Sequence, residues 1–450
     1  MGKHVKNRIP IFIPKHEFLA LVTYLLKWFG LAISLGCLVG SACAFFLWSL
    51  ERVTALRGQH SWLVYLLPFA GIAVSWLYSK YGKPVESGNN LIVDAIHEPG
   101  GGVPLRMAPL VLVGTVVTHL FGGSAGREGT AVQMGGSIAS GMGNLVPRLP
   151  RSDMSALLMA GVAAGFGGVF GTPVAGMIFA LEVLALGKMS YAAILPCLIA
   201  AIVADHSCMA WGIQHTHYRI ETRIPPGGLH QFSGYVLLSK VAIAGVVFGL
   251  ASRLFSESAH GIHHLFRQRI KNPECRAALG GVIIIGLVQL AGTRDYLGLG
   301  VSSPDPTAVT ISSCFHAGGA GTWSWLWKIL FTVITLGCGF KGGEVTPMFF
   351  IGAALGNVLA MASGAPVDLF AALGFVAVFA GATNTPLACT VMAMELFGSE
   401  HAVFYAVACV LAYLASGHSG IYLSQRIGTP KVWPGPAHRD SLREEREHRS

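Results

Sequence analysis

Charge is what this sequence has least of. Only 12% of its 450 residues are Asp, Glu, Lys or Arg, against about 25% in soluble domains. A chain so poor in charge is not built to be covered by water on every side. Paired cysteines are missing too. The nine cysteines are scattered, most of them in apolar runs (Cys37, Cys43, Cys197, Cys338, Cys389, Cys409), and no C-x-x-C pair occurs. They read as small hydrophobes in a reduced compartment rather than as a zinc or dithiol centre. Segments of about ten residues that alternate apolar and polar positions, the mark of a membrane β-barrel, are absent. No phosphate loop and no Ser/His/Asp arrangement appears, and His16-Glu17 fails the H-E-x-x-H pattern because position 20 is alanine. These absences speak against an enzyme, and they leave no reason to expect a metal or a cofactor.

What is present is apolar length. Hydrophobic residues make up 53% of the chain, and the mean hydropathy is +0.58. Since about 20 apolar residues cross a bilayer as a helix, the composition predicts an all-α integral membrane protein. Candidate spans fall at 18–50 (interrupted only by Lys27), 62–79, 105–121, 131–147, 155–186 (broken near Gly171-Thr-Pro173) and 191–211. In the second half they fall at 234–253, 277–293, 323–340, 348–361, 369–381, 386–397 and 402–417. The Gly and Pro interruptions predict short, tilted or broken helices, and the 57 glycines fit close helix contacts. The first span is too long for a signal-peptide core.

The net charge of +9 comes largely from ends and loops. Lys3, Lys6, Arg8 and Lys15 precede the first span, and a mixed-charge tail follows position 426. The positive-inside rule then puts both termini in the cytoplasm. The bases form no single patch, so a nucleic-acid partner is not expected. The chain divides into a basic head (1–17), a first membrane block (18–212), a polar linker (213–233), a second block (234–427) and a charged tail (428–450), which reads as too short for a regulatory domain. His260, His263 and His264 sit among Arg253, Glu257, Arg267 and Arg269 in a segment, 260–276, that reads as amphipathic helix or loop. A solvated face is the better reading there than a metal site.

The two membrane blocks repeat one another. Phe170-Gly-Thr-Pro-Val-Ala-Gly-Met-Ile-Phe-Ala-Leu-Glu182 aligns with Thr383-Asn-Thr-Pro-Leu-Ala-Cys-Thr-Val-Met-Ala-Met-Glu395 at an offset of 395 − 182 = 213. Gly126-Arg-Glu-Gly-Thr130 aligns with Gly342-Gly-Glu-Val-Thr346 at 344 − 128 = 216. Two motifs in the same order at nearly equal offsets indicate a tandem duplication. Broken helices in corresponding places point to a transporter with its site between the repeats. The residues leave open whether the halves are inverted. Glu182 and Glu395 end apolar runs at equivalent positions, where capping or interfacial placement is the expectation.

Arg127 and Glu128 lie between two apolar runs. A charged side chain at bilayer depth costs several kcal/mol and is usually kept for function. Helices are expected to begin within the membrane at Ser87–Asn90, Gly126–Thr130 and Gly343–Pro347, and a helix start offers free N–H donors suited to an anion. Ser87, Asn89, Asn90, Thr130 and Thr346 add hydroxyl and amide groups. Glu128 is itself an anion. It would fill such a site when ionised and vacate it when protonated, which links anion and proton movement. An ordinary Arg127–Glu128 salt bridge is the competing reading, disfavoured because adjacent helix residues point apart.

Gly126-Arg-Glu-Gly-Thr130 resembles the G-[RK]-E-G-P signature of the CLC chloride channel and transporter family, and the duplicated Gly-Thr-Pro and Asn-Thr-Pro segments fit that family as well. The resemblance runs from about residue 20 to 427. It implies a CLC-type bundle of inverted repeats, a homodimer with one pore per subunit, Glu128 as the gating glutamate, and Tyr422 in Ser419-Gly-Ile-Tyr422 as an anion-coordinating tyrosine. Departures matter. The family's G-S-G-I-P reads Glu86-Ser-Gly-Asn-Asn90; the proline after G-[RK]-E-G is Thr130; G-x-F-x-P reads Gly343-Glu-Val-Thr-Pro347; and the internal proton-transfer glutamate falls at Val183. This set is similar to the CLC-F branch of bacterial fluoride/proton antiporters. Fluoride is small and strongly hydrated, and two amides supply donors that Ile and Pro lack. The expectation is therefore fluoride export against proton import across a bacterial plasma membrane. Glu128 would carry the proton, Glu344 and Thr346 would lie beside it, and Ser87, Asn89, Asn90, Thr130 and Tyr422 would hold the anion. A CLC-type chloride channel or transporter is the alternative. Asn89 and Asn90 as turn residues, Glu344 as a first-turn acid and Tyr422 as an interfacial aromatic are the plainer readings.

Overall fold

In the computed structural model the described residues are 15–98, 100, 102–216, 218–223, 231–303, 305–431 and 441–449. The head bases Lys3, Lys6 and Arg8, Pro99 and Gly101, His217, linker residues 224–230 and tail residues 432–440 and 450 lie outside them. The first block comprises helices α1 (Lys15–Gln59), α2 (Leu67–Leu77), α3 (Asn89–His97), α4 (Met107–Leu120), α5 (Glu128–Leu145), α6 (Arg151–Phe170), α7 (Pro173–Glu182) and α8 (Ile194–Ala210). The second comprises α9 (Phe232–Arg269), α10 (Pro273–Ala291), α11 (Ser324–Gly337), α12 (Val345–Ser363), α13 (Val367–Thr383), α14 (Pro386–Phe397) and α15 (Ala402–Ala415), followed by α16 (Leu442–Arg449) in the tail. Among the described residues, 7 helical stretches are long and apolar enough to cross a membrane. The exposed faces of α1 and α9 carry Leu26, Phe45, Ile243 and Leu250, as lipid contact requires.

The duplicated sequence gives duplicated packing. Helix α1 packs on α6 and α8, and α9 packs on α13 and α15. Where α5 meets α6, a Cβ on Gly135 would lie 2.1 Å from the Gly161 carbonyl; where α12 meets α13, a Cβ on Gly352 would lie 2.0 Å from that of Gly374. Only glycine allows backbones this close, so the same contact is made at the same place in both halves.

The Gly-Thr-Pro and Asn-Thr-Pro motifs are helix-to-helix corners. Helix α6 stops at Gly171 (φ 70°), and two residues later Pro173 opens α7. Helix α13 stops at Asn384 (φ 60°), and Pro386 opens α14. Glycine and asparagine tolerate the left-handed turn, while proline at the first helical position gives up no bond.

Helices α7 and α14 run antiparallel and cap each other. Glu182 at the end of α7 accepts hydrogen bonds from Leu387 N (3.1 Å) and Ala388 N (2.8 Å) at the start of α14. Glu395 in α14 accepts from Val174 N (3.0 Å) and Ala175 N (2.8 Å) at the start of α7. Equivalent helices that meet end to start are related by a two-fold axis perpendicular to both. For helices that run across a bilayer that axis lies in the membrane plane, the relation of inverted repeats. Both glutamates are therefore caps.

Two segments differ from expectation. Lys27 does not interrupt α1, because its ammonium reaches Asp153 Oδ2 at 2.8 Å and lies over the Trp28 ring. The segment from His260 is helical as far as Arg269, the last part of the 38-residue α9, and His260 bonds the Gly420 carbonyl (2.9 Å) rather than standing in solvent. Strand β1 (Ala185–Leu186), between α7 and α8, and β2 (Arg426–Ile427), at the end of the second block, pair in parallel. They fix the end of the second block to the first.

Candidate functional site

The two Gly-x-Glu motifs meet. Gly126 N donates to Gly343 O (2.5 Å) and Gly343 N donates to Gly126 O (2.8 Å), an antiparallel bridge between the repeats. From this bridge α5 departs at Glu128 and α12 at Val345. Helix α3 starts at Asn89 beside them. All three helices thus begin where the sequence predicts, and the first N–H groups of each are without intrahelical partners.

Glycine is required at the crossing. A Cβ on Gly126 would sit 2.9 Å from Thr346 N and 3.0 Å from Glu128 Oε2. One on Gly129 would sit 3.0 Å from Asn89 Nδ2 and 3.2 Å from Gly343 Cα. Either methyl would push apart the groups that the site assembles.

Glu128 is 1% exposed. Its carboxylate accepts from Thr346 N (3.0 Å), from Arg127 N (3.1 Å) and from Thr346 Oγ1, whose oxygen is 2.7 and 2.6 Å from the two carboxylate oxygens. Thr346 is the second residue of α12, so the carboxylate of one repeat rests on the open helix start of the other. Arg127 Nε lies 3.5 Å from Glu128 Oε1. Neighbours on a helix would point apart, but Arg127 is the N-cap of α5 (φ −116°) and lies outside the helical phase. The pair therefore forms, yet the Arg127 Nε makes no hydrogen bond.

The remaining sequence candidates divide. Glu344, half-buried, is the N-cap residue of α12 and its carboxylate caps nothing. Tyr422 is 4% exposed, which removes the interfacial reading, and both Glu128 and Glu344 lie within electrostatic range of its phenol. The half-buried Asn89 places Nδ2 against Gly129 and leaves its Oδ1 without a partner. Asn90 accepts from Ser424 N (3.0 Å) and so ties the start of α3 to the segment after Tyr422. Ser87 is exposed at the turn before α3. Thr130 is fully buried and shares its hydroxyl with Thr115 Oγ1 (2.8 Å) rather than with the carboxylate. Val183 is buried, its carbonyl bonded to Gln425 Nε2 (2.9 Å).

Sequence reasoning passed over one neighbour of the site. A small chamber on one side of Glu128 is lined by Arg127, Thr346, His215, Thr216 and Tyr218 together with phenylalanines 170, 349 and 375. The sequence marks this stretch as a polar linker whose His215 and His217 have the spacing of a metal pair, a reading that a solvated face outweighs; Tyr218 between His215 and Arg219 is the signal for more.

A family model described as Voltage gated chloride channel matches residues 70–417. Over 421 residues, 92% of this chain and 90% of the relative, the sequence is 50% identical to a chloride/fluoride channel protein of Pseudomonas syringae pv. tomato. The crystal structure of a CLC-type fluoride/proton antiporter superposes with a TM-score of 0.83 at 37% identity, covering 89% of this chain and 98% of that one. A slow cyanobacterial Cl−/H+ antiporter shares the fold at 21% identity, with a TM-score of 0.71 over 87% of this chain and 94% of that one.

Proposed function

Because this chain belongs to the voltage gated chloride channel (CLC) family, we propose that it exports fluoride in exchange for protons, with Glu128 as the protonatable gate. The observation that carries the reading is the Glu128 carboxylate seated on the start of α12, where Thr346 N–H and Oγ1–H donate to it. Those donors suit any small anion. While ionised, Glu128 occupies the seat itself. Protonation removes the charge that holds it there, the side chain leaves with its proton, and an anion takes the same donors. Two kinds of ion then share one position and cannot be present together, which couples their movements.

Several features favour fluoride as that anion. The antiporter that shares 37% of this sequence is described as moving fluoride and protons. Asn89 holds its amide nitrogen, a donor, against Gly129, and a hard, strongly hydrated ion needs such donors to replace its water. Glu344, uncapped beside Thr346 and in range of Tyr422, is the candidate for passing protons onward in place of a glutamate at 183. The assembly we propose is a homodimer with a pore in each subunit and both termini in the cytoplasm.

Chloride conduction is the second reading, favoured by the name of the Pseudomonas relative, a chloride/fluoride channel protein. Purified protein in liposomes, followed with fluoride and chloride electrodes and a pH probe, separates the two. Fluoride efflux with opposed proton uptake is the expected result. Chloride efflux equal to that of fluoride, without proton movement, would refute the exchanger.

A further inference from the structure

We propose that Tyr218, in the linker between the repeats, is the outer gate of the ion route, its ring closing the way to Glu128 and its hydroxyl donating to the anion that passes. The proposal rests on the transport reading above. Tyr218 belongs to two cavities at once. It lines the small chamber that holds Glu128, Arg127 and Thr346. It also lines a larger recess with Arg219, Glu221, His316 and Asp368. One side chain therefore stands between the carboxylate and the opening on the linker side.

That opening lies away from Tyr422. Helix α13 touches the linker at one end, through Asp368, and the segment before Tyr422 at the other, where Ile421 N donates to Ala382 O (2.9 Å). At a rise of about 1.5 Å per residue these two contacts are roughly 21 Å apart along the helix. Glu128 thus has Tyr422 towards one end and Tyr218 towards the other.

The linker just after Tyr218 is held by hydrogen bonds. Asp368 accepts from Glu221 N (2.7 Å), Thr222 N (2.8 Å) and Thr222 Oγ1 (2.5 Å). The His401 ring bonds the Thr222 carbonyl (3.0 Å). Towards the other side, His215 Nε2 lies 3.3 Å from Asp205 Oδ1. The bonded stretch is 221–222, and we assign the opening to the Tyr218 side chain beside it. The Tyr218 ring stacks on Phe315 (5.3 Å, 21°) and meets Phe375 and Phe397 edge-on. No hydrogen bond from its hydroxyl to another described residue occupies that donor. A donor that is unused within the protein, on the boundary of an anion chamber, is available to the anion.

The test is fluoride, chloride and proton flux from liposomes containing the full chain. Tyr218→Ala removes the barrier: halide efflux rises several-fold and fewer protons move per anion. Tyr218→Trp fills the passage and slows efflux several-fold, with the proton ratio kept. Tyr218→Phe keeps the ring and loses the donor, so coupling persists while turnover falls. An active wild type with unchanged rates and ratio in the alanine and tryptophan variants would refute the gate alone. If the alanine variant does not elute as folded protein, equal rates for wild type, Phe and Trp refute it equally. A wild type inert to both halides refutes the transport reading and this gate with it.

Discussion

Replacing Glu128 by glutamine changes charge with almost no change in shape, and the seat on α12 fixes what should follow. The carboxylate takes two bonds from Thr346, one from the main chain and one from the hydroxyl. Hydrogen bonds to a charged group contribute roughly 1.5–3 kcal/mol each, and neutral ones about 0.5–1.5. An amide can still accept from Thr346 N and donate to Thr346 Oγ1, so the bonds survive but their charge assistance does not. The seated side chain loses about 2–3 kcal/mol in all. At about 1.4 kcal/mol per factor of ten, an anion competes for the seat roughly 30- to 150-fold better. Fluoride titrations of purified protein by calorimetry read this directly. In the wild type, affinity falls as pH rises, because the deprotonated carboxylate is the competitor. In Glu128→Gln it is higher and does not change with pH. Liposome flux adds the functional half, since no proton should move with fluoride. Proton-coupled exchange that persists in this variant, or fluoride affinity that keeps its pH dependence, would refute Glu128 as the gate.

Thr346→Val removes the hydroxyl and leaves the main-chain donor, which costs the seated carboxylate about 1.5–3 kcal/mol; the number of protons moved per fluoride should fall, and an unchanged ratio counts against Thr346. Asn89→Ile should lower the preference for fluoride over chloride in paired electrode measurements, and equal selectivity would return Asn89 to a turn role. Glu182→Ala leaves Leu387 N and Ala388 N at the start of α14 unbonded, a loss of about 1–3 kcal/mol that should appear as a lower unfolding temperature in detergent and be partly restored in Glu182→Gln.

Much of the fold is readable because charge is rare here, at 12% of residues, and because the prolines of the repeated motifs open helices. The corners at Gly171 and Asn384 and the helix starts at Glu128 and Val345 were visible as interruptions in apolar runs, and the equal offsets made them a duplication. The sequence already sets Thr346 beside Glu128 across the two halves; the bond itself, between residues 218 apart, needs the Gly126–Gly343 crossing, which no motif announces. Thr130 reads as an anion donor, and its hydroxyl bond with Thr115, 15 residues earlier, is not legible in the motif. Lys27 looked like a break in the first span because its partner, Asp153, is 126 residues away. Tyr218 carries no motif of its own in a segment marked by polar composition and the His215–His217 spacing.

The reciprocal main-chain bonds between Gly126 and Gly343 limit how this protein can work. A carrier that alternates by rocking one half against the other must break whatever joins the halves at the binding site. Here the joint is two backbone hydrogen bonds adjoining the seat itself, reinforced by the mutual capping of α7 and α14. Separating the repeats would dismantle the donors that hold the ion. On the proposed mechanism the moving parts are of side-chain size, a carboxylate that steps off one helix start and a ring that turns aside. Each step displaces a few ångströms of matter within a frame that stays locked.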